Sequence, residues 1–333
     1  MKKSFLPFIL ILLIAACAPR TIYHKINFAG MAQGTYYAVT YYDSLNRDFQ
    51  PQIDSLLADF DQSVSSWVPN SIISRINEGE KDVECDPIFI ETYRLALEVA
   101  EESGGAFDYT VGPLVNAWGF GFEDREKVDQ AMIDSLLPLV DYRKVRLSGN
   151  KIEMDHEGVR FDFNAVAQGY SVDLVGEFLA SEGIKDYLVD IGGEVLAIGE
   201  KPGEGKWVIG IEKPSETEYS DRMLEATLEL KNKAMATSGN YRKYYEENGV
   251  RYSHTIDPFT GYPVRHSLLS VSVIADDCGL ADAWATAFMV MGLEKAIEIL
   301  EERDDLEAFF IYSGEEGFMM TWATEGMKAL LTK

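Results

Sequence analysis

The sequence predicts an α+β fold, and three observations carry that expectation. Strand-like and helix-like runs interleave along the chain, they lack the regular strand–helix–strand spacing of a doubly wound sheet, and no internal repeat or low-complexity tract interrupts them. The 333 residues are 47% hydrophobic, ample for a real core in one large domain or two small ones.

The first element is not part of that domain. Lys2 and Lys3 precede an apolar run from Phe5 to Ala16, too short to cross a bilayer and suited to a signal-peptide core. The run closes in Ile14-Ala15-Ala16-Cys17, the small-residue box that lipoprotein signal peptidase cleaves before a cysteine. The expectation is therefore a signal over 1–17, a lipid on Cys17, a tether over 18–25 and a folded domain over 26–333. That places the protein outside the cytoplasm, lipid-anchored to a membrane and facing the periplasm. No later segment has the roughly 18 consecutive apolar residues of a membrane helix.

Within the domain, runs rich in β-branched and aromatic residues predict strands at Thr35–Tyr42, Lys144–Leu147, Lys151–Met154, Tyr187–Ile191, Glu194–Ile198, Trp207–Ile211 and Leu269–Ile274. Helical periodicity predicts helices at Pro51–Phe60, Pro87–Glu102, Ala167–Glu182, Gly279–Met291 and Leu293–Glu302. Gly192-Gly193, between two of the strands, reads as the turn of a hairpin.

Charge narrows the function. Removing Lys2 and Lys3 with the signal leaves 28 basic against 55 acidic residues, an imbalance that argues against nucleic acid or anionic lipid surfaces as partners. A phosphate-bearing ligand would need local devices instead: a cation, backbone N–H groups or a helix start. Cys85 and Cys278, the remaining cysteines, are too few for a disulfide scaffold and lack zinc-site spacing, so two buried free thiols are expected. No Gly-x-Ser-x-Gly elbow and no P-loop occur, which sets aside a serine hydrolase and a P-loop NTPase.

Three segments carry chemistry. In Leu280-Ala281-Asp282-Ala283-Trp284-Ala285-Thr286, Asp282 and Thr286 stand four apart on one helical face, two hard oxygen ligands of the kind Mg²⁺ prefers. The bland alternative is an acidic residue favoured by the helix dipole and a threonine bonded to its own backbone. Phe161 to Asp173 is a strand turning through Asn164-Ala165 into a helix, a junction whose free carbonyls can bind a cation and whose N–H groups can bind phosphate. Ala236 to Tyr241 and Tyr252 to Gly261 frame His254 between two hydroxyl residues, in the setting of either a general base or a structural histidine.

At these residues the chain resembles the ApbE family, the FAD:protein FMN transferases. The resemblance runs through Gln33-Gly34-Thr35, Ser74-Arg75-Ile76-Asn77, Gly105 to Gly121, Asp162 to Asp173, Asp190-Ile191-Gly192-Gly193, Ser238-Gly239-Asn240-Tyr241, Ser253 to Gly261 and Ala281 to Ala287, in order. It implies a single large α+β domain of the ApbE kind, a mixed, mainly antiparallel sheet with packed helices, and Mg²⁺ held by Asp282, Thr286 and the Ala165 carbonyl. It also implies FAD contacts at Gln33, Trp67, Ala106, Phe107, Asp108, Asp162, Gln168 and Ile256, with His254 as the general base. The implied reaction is attack by a threonine or serine hydroxyl of an acceptor protein, such as a membrane-bound redox subunit, on the FMN-side phosphorus of FAD, releasing AMP. An aromatic pocket around Phe107, Trp118 and Phe120 is expected to keep water out. Departures fall at Gln33, where many members have Met, at Gln168, where many have Lys or Glu, and at Asn164, which replaces a common glycine. They also include Ala285, where some members carry a further acidic group near the metal; its absence is expected to lower the negative charge around the cation. The alternatives are an Mg²⁺-dependent FAD pyrophosphatase that frees FMN, and a non-catalytic flavin-binding lipoprotein.

Overall fold

In a computed structural model, residues 21–121, 128–214, 223–240, 244–247, 250–314 and 317–332 are described. Cys17, the signal, the first tether residues and Tyr241 lie outside them. The described chain enters as a hairpin of β1 (His24–Ala32) and β2 (Thr35–Asp43). The helices α1 (Gln50–Val64), α2 (Ile72–Asn77), α3 (Pro87–Glu102), α4 (Gly112–Ala117) and α5 (Gln130–Leu136) follow. A small ribbon of β3 (Val145–Ser148) and β4 (Lys151–Met154) leads to α6 (Ala167–Ser181). Next come the hairpin β5 (Tyr187–Ile191) and β6 (Glu194–Ile198), the ribbon β7 (Trp207–Glu212) and β8 (Leu224–Leu230), and β9 (Lys233–Gly239). The ribbon β10 (Tyr244–Glu247) and β11 (Val250–Ser253) precedes β12 (Leu268–Ala275), α7 (Cys278–Met291) and α8 (Leu293–Glu301). The chain closes with β13 (Glu307–Ser313), β14 (Met319–Ala323) and α9 (Glu325–Leu330).

Eight strands pair in the order β1-β2-β5-β6-β9-β12-β13-β14, and every ladder is antiparallel. The expected mainly antiparallel sheet is borne out: among the described residues, parallel pairing is confined to the isolated Val111–Arg160 bridge. Both faces of the sheet are covered. On one, Tyr37, Val39 and Val189 pack with Ile53 and Leu57 of α1 and Val172 and Val175 of α6, while Val271 and Val273 pack with α3 and α7. On the other, Val195, Met235 and Ile274 meet Trp207 and Leu228 of the β7–β8 ribbon and Met327 of α9. A strand covered on both sides loses the period-two alternation of polarity. This is why β12 is buried along nearly its whole length.

Several predicted bounds need adjustment. The expected Pro51–Phe60 helix runs on to Val64, because Ser63 and Val64 are also buried. β1 begins at His24, inside the stretch assigned to the tether. Cys85 and Cys278 are free, buried thiols, and burial pushes Cys85 up to about 11.

Candidate active site

The site begins where α6 and α7 start side by side. α7 is apolar almost all round and buried accordingly, so each polar group it carries needs a reason. Its first turn is capped from the neighbouring helix: Cys278 N and Gly279 N donate to the two carboxylate oxygens of Asp173 at 2.7 and 2.8 Å. One turn on, Asp282 is only 6% exposed and accepts a 3.1 Å hydrogen bond from the backbone N–H of Gly169, in the first turn of α6. Helix starts approach this closely because residue 169 has no side chain. A Cβ there would lie 2.4 Å from the Cys278 carbonyl oxygen and 2.8 Å from the Asp282 Cβ.

The Asp282 contact frees a second oxygen. In an ordinary helix start Gly169 N would bond the carbonyl four residues back, that of Ala165. Here it turns to Asp282, and no donor among the described residues meets the Ala165 carbonyl. Thr286, half-buried one turn beyond Asp282, has its hydroxyl 3.0 Å from Ser238 Oγ on β9. The Ala165 carbonyl thus sits beside the N–H that Asp282 has taken over, and Thr286 lies on the same face of α7 as Asp282.

A second carboxylate adjoins them. β5 turns into β6 through Gly192 and Gly193, whose φ values of 65° and 113° lie in the region only glycine enters freely, and Glu194 follows at once. Gln168 Nε2 donates to the Ile191 carbonyl at 3.0 Å and to the Glu194 carboxylate. Burial raises the Asp282 pKa, opposed by the Gly169 N–H; burial also raises that of Glu194, and the charge of Asp282 raises it further. No Lys, Arg or His among the described residues forms an ion pair with either. A buried and a half-buried carboxylate without a cation, an orphaned carbonyl and a hydroxyl are hard oxygen donors, and they fit a divalent ion such as Mg²⁺. No group of three His, Cys, Asp or Glu side chains gathers anywhere among the described residues.

The residues assigned to FAD surround this junction unevenly. Gln33 stands at the tip of the β1–β2 hairpin with φ 53°, unusual for a residue with a side chain. Ser171 Oγ on α6 donates to its Oε1 at 3.3 Å, which leaves Nε2 a buried donor without a partner. Trp67 is 60% exposed on the turn between α1 and α2. That turn is held by Ser71, which caps α2 and donates to the Ser65 carbonyl, and by Ser74, which donates to the Val68 carbonyl. Ala106, Phe107 and Asp108 follow α3 in a buried loop. Asp108 is occupied internally by Thr110 and Tyr142 N, and burial raises its pKa. Asp162 accepts from Asn164 N at 2.8 Å at the entry to α6, and burial raises its pKa as well. Ile256 is buried in a cluster with Leu114, Trp118 and Ile133.

His254 is half-buried, with its ring edge-to-face against Phe120 at 6.4 Å between centroids. The loop after it folds back onto the 105–108 loop: the Phe259 ring stands 3.7 Å from where a Cβ of Gly105 would be. Of the three rings expected to form one aromatic pocket, two share a cluster. Phe107 belongs to the main core, while Phe120, whose ring meets His254, packs against the smaller cluster that holds Trp118, whose Nε1 donates to the Gly261 carbonyl at 2.8 Å.

Sequence reasoning missed two residues here. Asp173 closed a quoted segment without a role, though an acidic residue on the apolar, buried face of a helix is itself a signal. Glu194 followed immediately after the Gly192-Gly193 turn, but only the fold reveals that Glu194 and Asp282 bond to the consecutive residues Gln168 and Gly169.

Residues 33–310 match the ApbE family. The FAD:protein FMN transferase of Vibrio cholerae serotype O1 is 33% identical over 334 residues, covering 97% of each chain. That of Haemophilus influenzae is 35% identical over 335 residues, covering 96% of this chain and 95% of the relative. The solved structure of the flavin transferase ApbE from Vibrio cholerae superposes with a TM-score of 0.82 at 32% identity, over 93% of this chain and 100% of that one. The ApbE protein from Thermotoga maritima gives 0.80 at 28% identity, over 94% and 100%.

Proposed function

The chain belongs to the ApbE family and is a flavinyltransferase that uses FAD, and on that premise we propose that it moves FMN onto a threonine or serine hydroxyl of an acceptor protein with the help of Mg²⁺. The observation that carries the metal is the buried Asp282 carboxylate, set without a cation beside the orphaned Ala165 carbonyl and the Thr286 hydroxyl. Those three groups would hold the ion, which when bound neutralises charge on the pyrophosphate.

The chain's own groups supply the rest. In the first turn of α6 the backbone N–H of Gln168 meets no acceptor among the described residues and favours a phosphate there. Gln33 Nε2, already oriented by Ser171, offers the flavin nucleotide a donor. Trp67, exposed on a turn braced by serines, offers an aromatic face for stacking. His254 accepts the proton of the acceptor hydroxyl as that oxygen attacks the FMN-side phosphorus, and AMP departs. We further propose that Cys17 carries the lipid, that the protein faces the periplasm, and that its acceptors are membrane-bound redox subunits. The signal box and the acidic surface, which disfavours nucleic acid, support this setting.

The test is incubation with FAD, Mg²⁺ and a threonine-bearing acceptor, reading flavin fluorescence on the acceptor and AMP in solution. Free FMN with no labelled acceptor would mean hydrolysis, and bound flavin with no AMP would mean a carrier. Asp282→Ala is expected to abolish metal-dependent AMP release; full activity in that variant after chelation would sink the metal assignment. If His254→Asn keeps wild-type turnover from pH 6 to 9, the base lies elsewhere.

A further inference from the structure

We propose that Glu194 completes the cation site as its second carboxylate, supplying from β6 the negative charge that Ala285 does not supply from α7. The inference rests on the Mg²⁺ reading above and adds to it a residue from a different element.

Topology brings Glu194 to the place. It is the first residue of β6, paired with Ile191 across the Gly192-Gly193 turn. The next residue, Val195, packs with Met235 and Trp207 on the far face of the sheet, while Leu196 packs with Val172 and Val175 of α6 on the near face. Strand alternation therefore puts Glu194 on the near face, where α6 and α7 start. The mooring is specific: Gln168 holds Glu194 through its side-chain amide, and Gly169 holds Asp282 through its backbone N–H. Two carboxylates are thus tied to consecutive residues of one helix start.

Energetics point the same way. The buried Asp282 carboxylate, held by one neutral backbone amide, is costly, and the half-buried Glu194 carboxylate beside it raises the cost. Nothing cationic within the described chain offsets it. A divalent ion does, and Mg²⁺ is ordinarily bound through one or two carboxylates. The competing account is that Glu194 merely braces Gln168 against Ile191. That role needs an acceptor, not a charge.

Glu194→Gln separates the two, because glutamine keeps an acceptor for Gln168 and loses the charge. The full mature protein is titrated with MgCl₂ in the presence of FAD, with quenching of flavin fluorescence reporting binding. Half-saturating Mg²⁺ is expected to rise at least tenfold in Glu194→Gln, while FAD binding recovers at saturating Mg²⁺. The metal-free variant should melt no lower than wild type, since a like-charge contact is gone. An Mg²⁺ dependence within twofold of wild type would overturn the proposal and leave the brace. If wild-type FAD binding itself ignores Mg²⁺, the cation reading fails, and Glu194's part with it. Should Glu194→Gln not fold, Glu194→Asp decides: it keeps the charge but withdraws it by one methylene. A rise of threefold or more in half-saturating Mg²⁺ supports the proposal, and no rise overturns it.

Discussion

Gln33 shows how much a single side chain can declare. Its amide is turned by Ser171 so that the buried Nε2 has no partner in the protein, and a native fold rarely leaves such a donor unless a ligand completes it. Gln33→Ala is expected to weaken FAD binding by about 1 kcal/mol, roughly fivefold in Kd, without altering the melting temperature. Equilibrium fluorescence titration checks it, and unchanged affinity would leave the amide as turn structure only. At this scale the sequence was legible where chemistry follows local spacing. Asp282 and Thr286 could be paired because four residues make about one helical turn, and the Asn164-Ala165 turn could be marked because a strand-to-helix junction exposes backbone groups, whereas the Ala165 carbonyl itself was named only by the family resemblance. Glu194 could not, since its neighbours in space are more than 20 residues away along the chain.

The crossing of α6 and α7 is the element on which the site stands. Asp173 accepts from two backbone N–H groups at the start of α7, and both donors would be left buried and unmet by Asp173→Ala. We expect that variant to lose about 2 kcal/mol, read as a lower urea midpoint at unchanged slope. Gly169→Ala should be worse for function, because its methyl group would meet the Cys278 backbone carbonyl, which cannot swing aside as a side chain can. Its expected signature is a lost Mg²⁺ response together with a melting temperature lowered by several degrees. A variant that binds Mg²⁺ and FAD normally would show that the two helices can part at this point. The sequence placed both helices nearly to the residue, as apolar periodic runs allow. It did not reveal β1, β8, β9, β10, β11, β13 or β14; of these β9 and β13 are covered on both faces and carry no alternating pattern. Nor could it show that helices meet at glycines, which is a matter of packing.

Across the whole molecule, buried carboxyl groups set the response to acid. Burial lifts Asp173 to about 7 despite its two backbone donors, and lifts Asp282 and Glu194 as well. In the unfolded chain these groups return to the ordinary carboxylate range, so between about pH 4 and 7 the folded form holds more protons. The stability they contribute is therefore full below that window and lost as pH rises through it. Carboxylates held low by a guanidinium, such as Asp43 at about 2 beside Arg47, finish titrating below the window and do not cancel the trend. The metal-free protein should accordingly melt at a higher temperature at pH 5.5 than at pH 8 in calorimetry, and Asp173→Asn should flatten the difference. Equal melting temperatures at the two pH values would contradict the burial argument. The α+β class was legible from interleaved runs alone, whereas the wholly antiparallel ladder order was not, because strand order depends on contacts far apart along the chain.

The first strand also acts as a ruler. Nine residues of β1, rising about 3.4 Å each, separate its start at His24 from the hairpin tip at Gln33 by about 30 Å. Six residues lie between Cys17 and His24, so the seven Cα-to-Cα steps can extend to about 25 Å at most. With the proposed lipid on Cys17, the Gln33 edge of the site can rise no more than about 55 Å above the bilayer. An acceptor hydroxyl carried on a taller stalk must bend down to be modified, and one close to the lipid headgroups is within reach while the tether is slack.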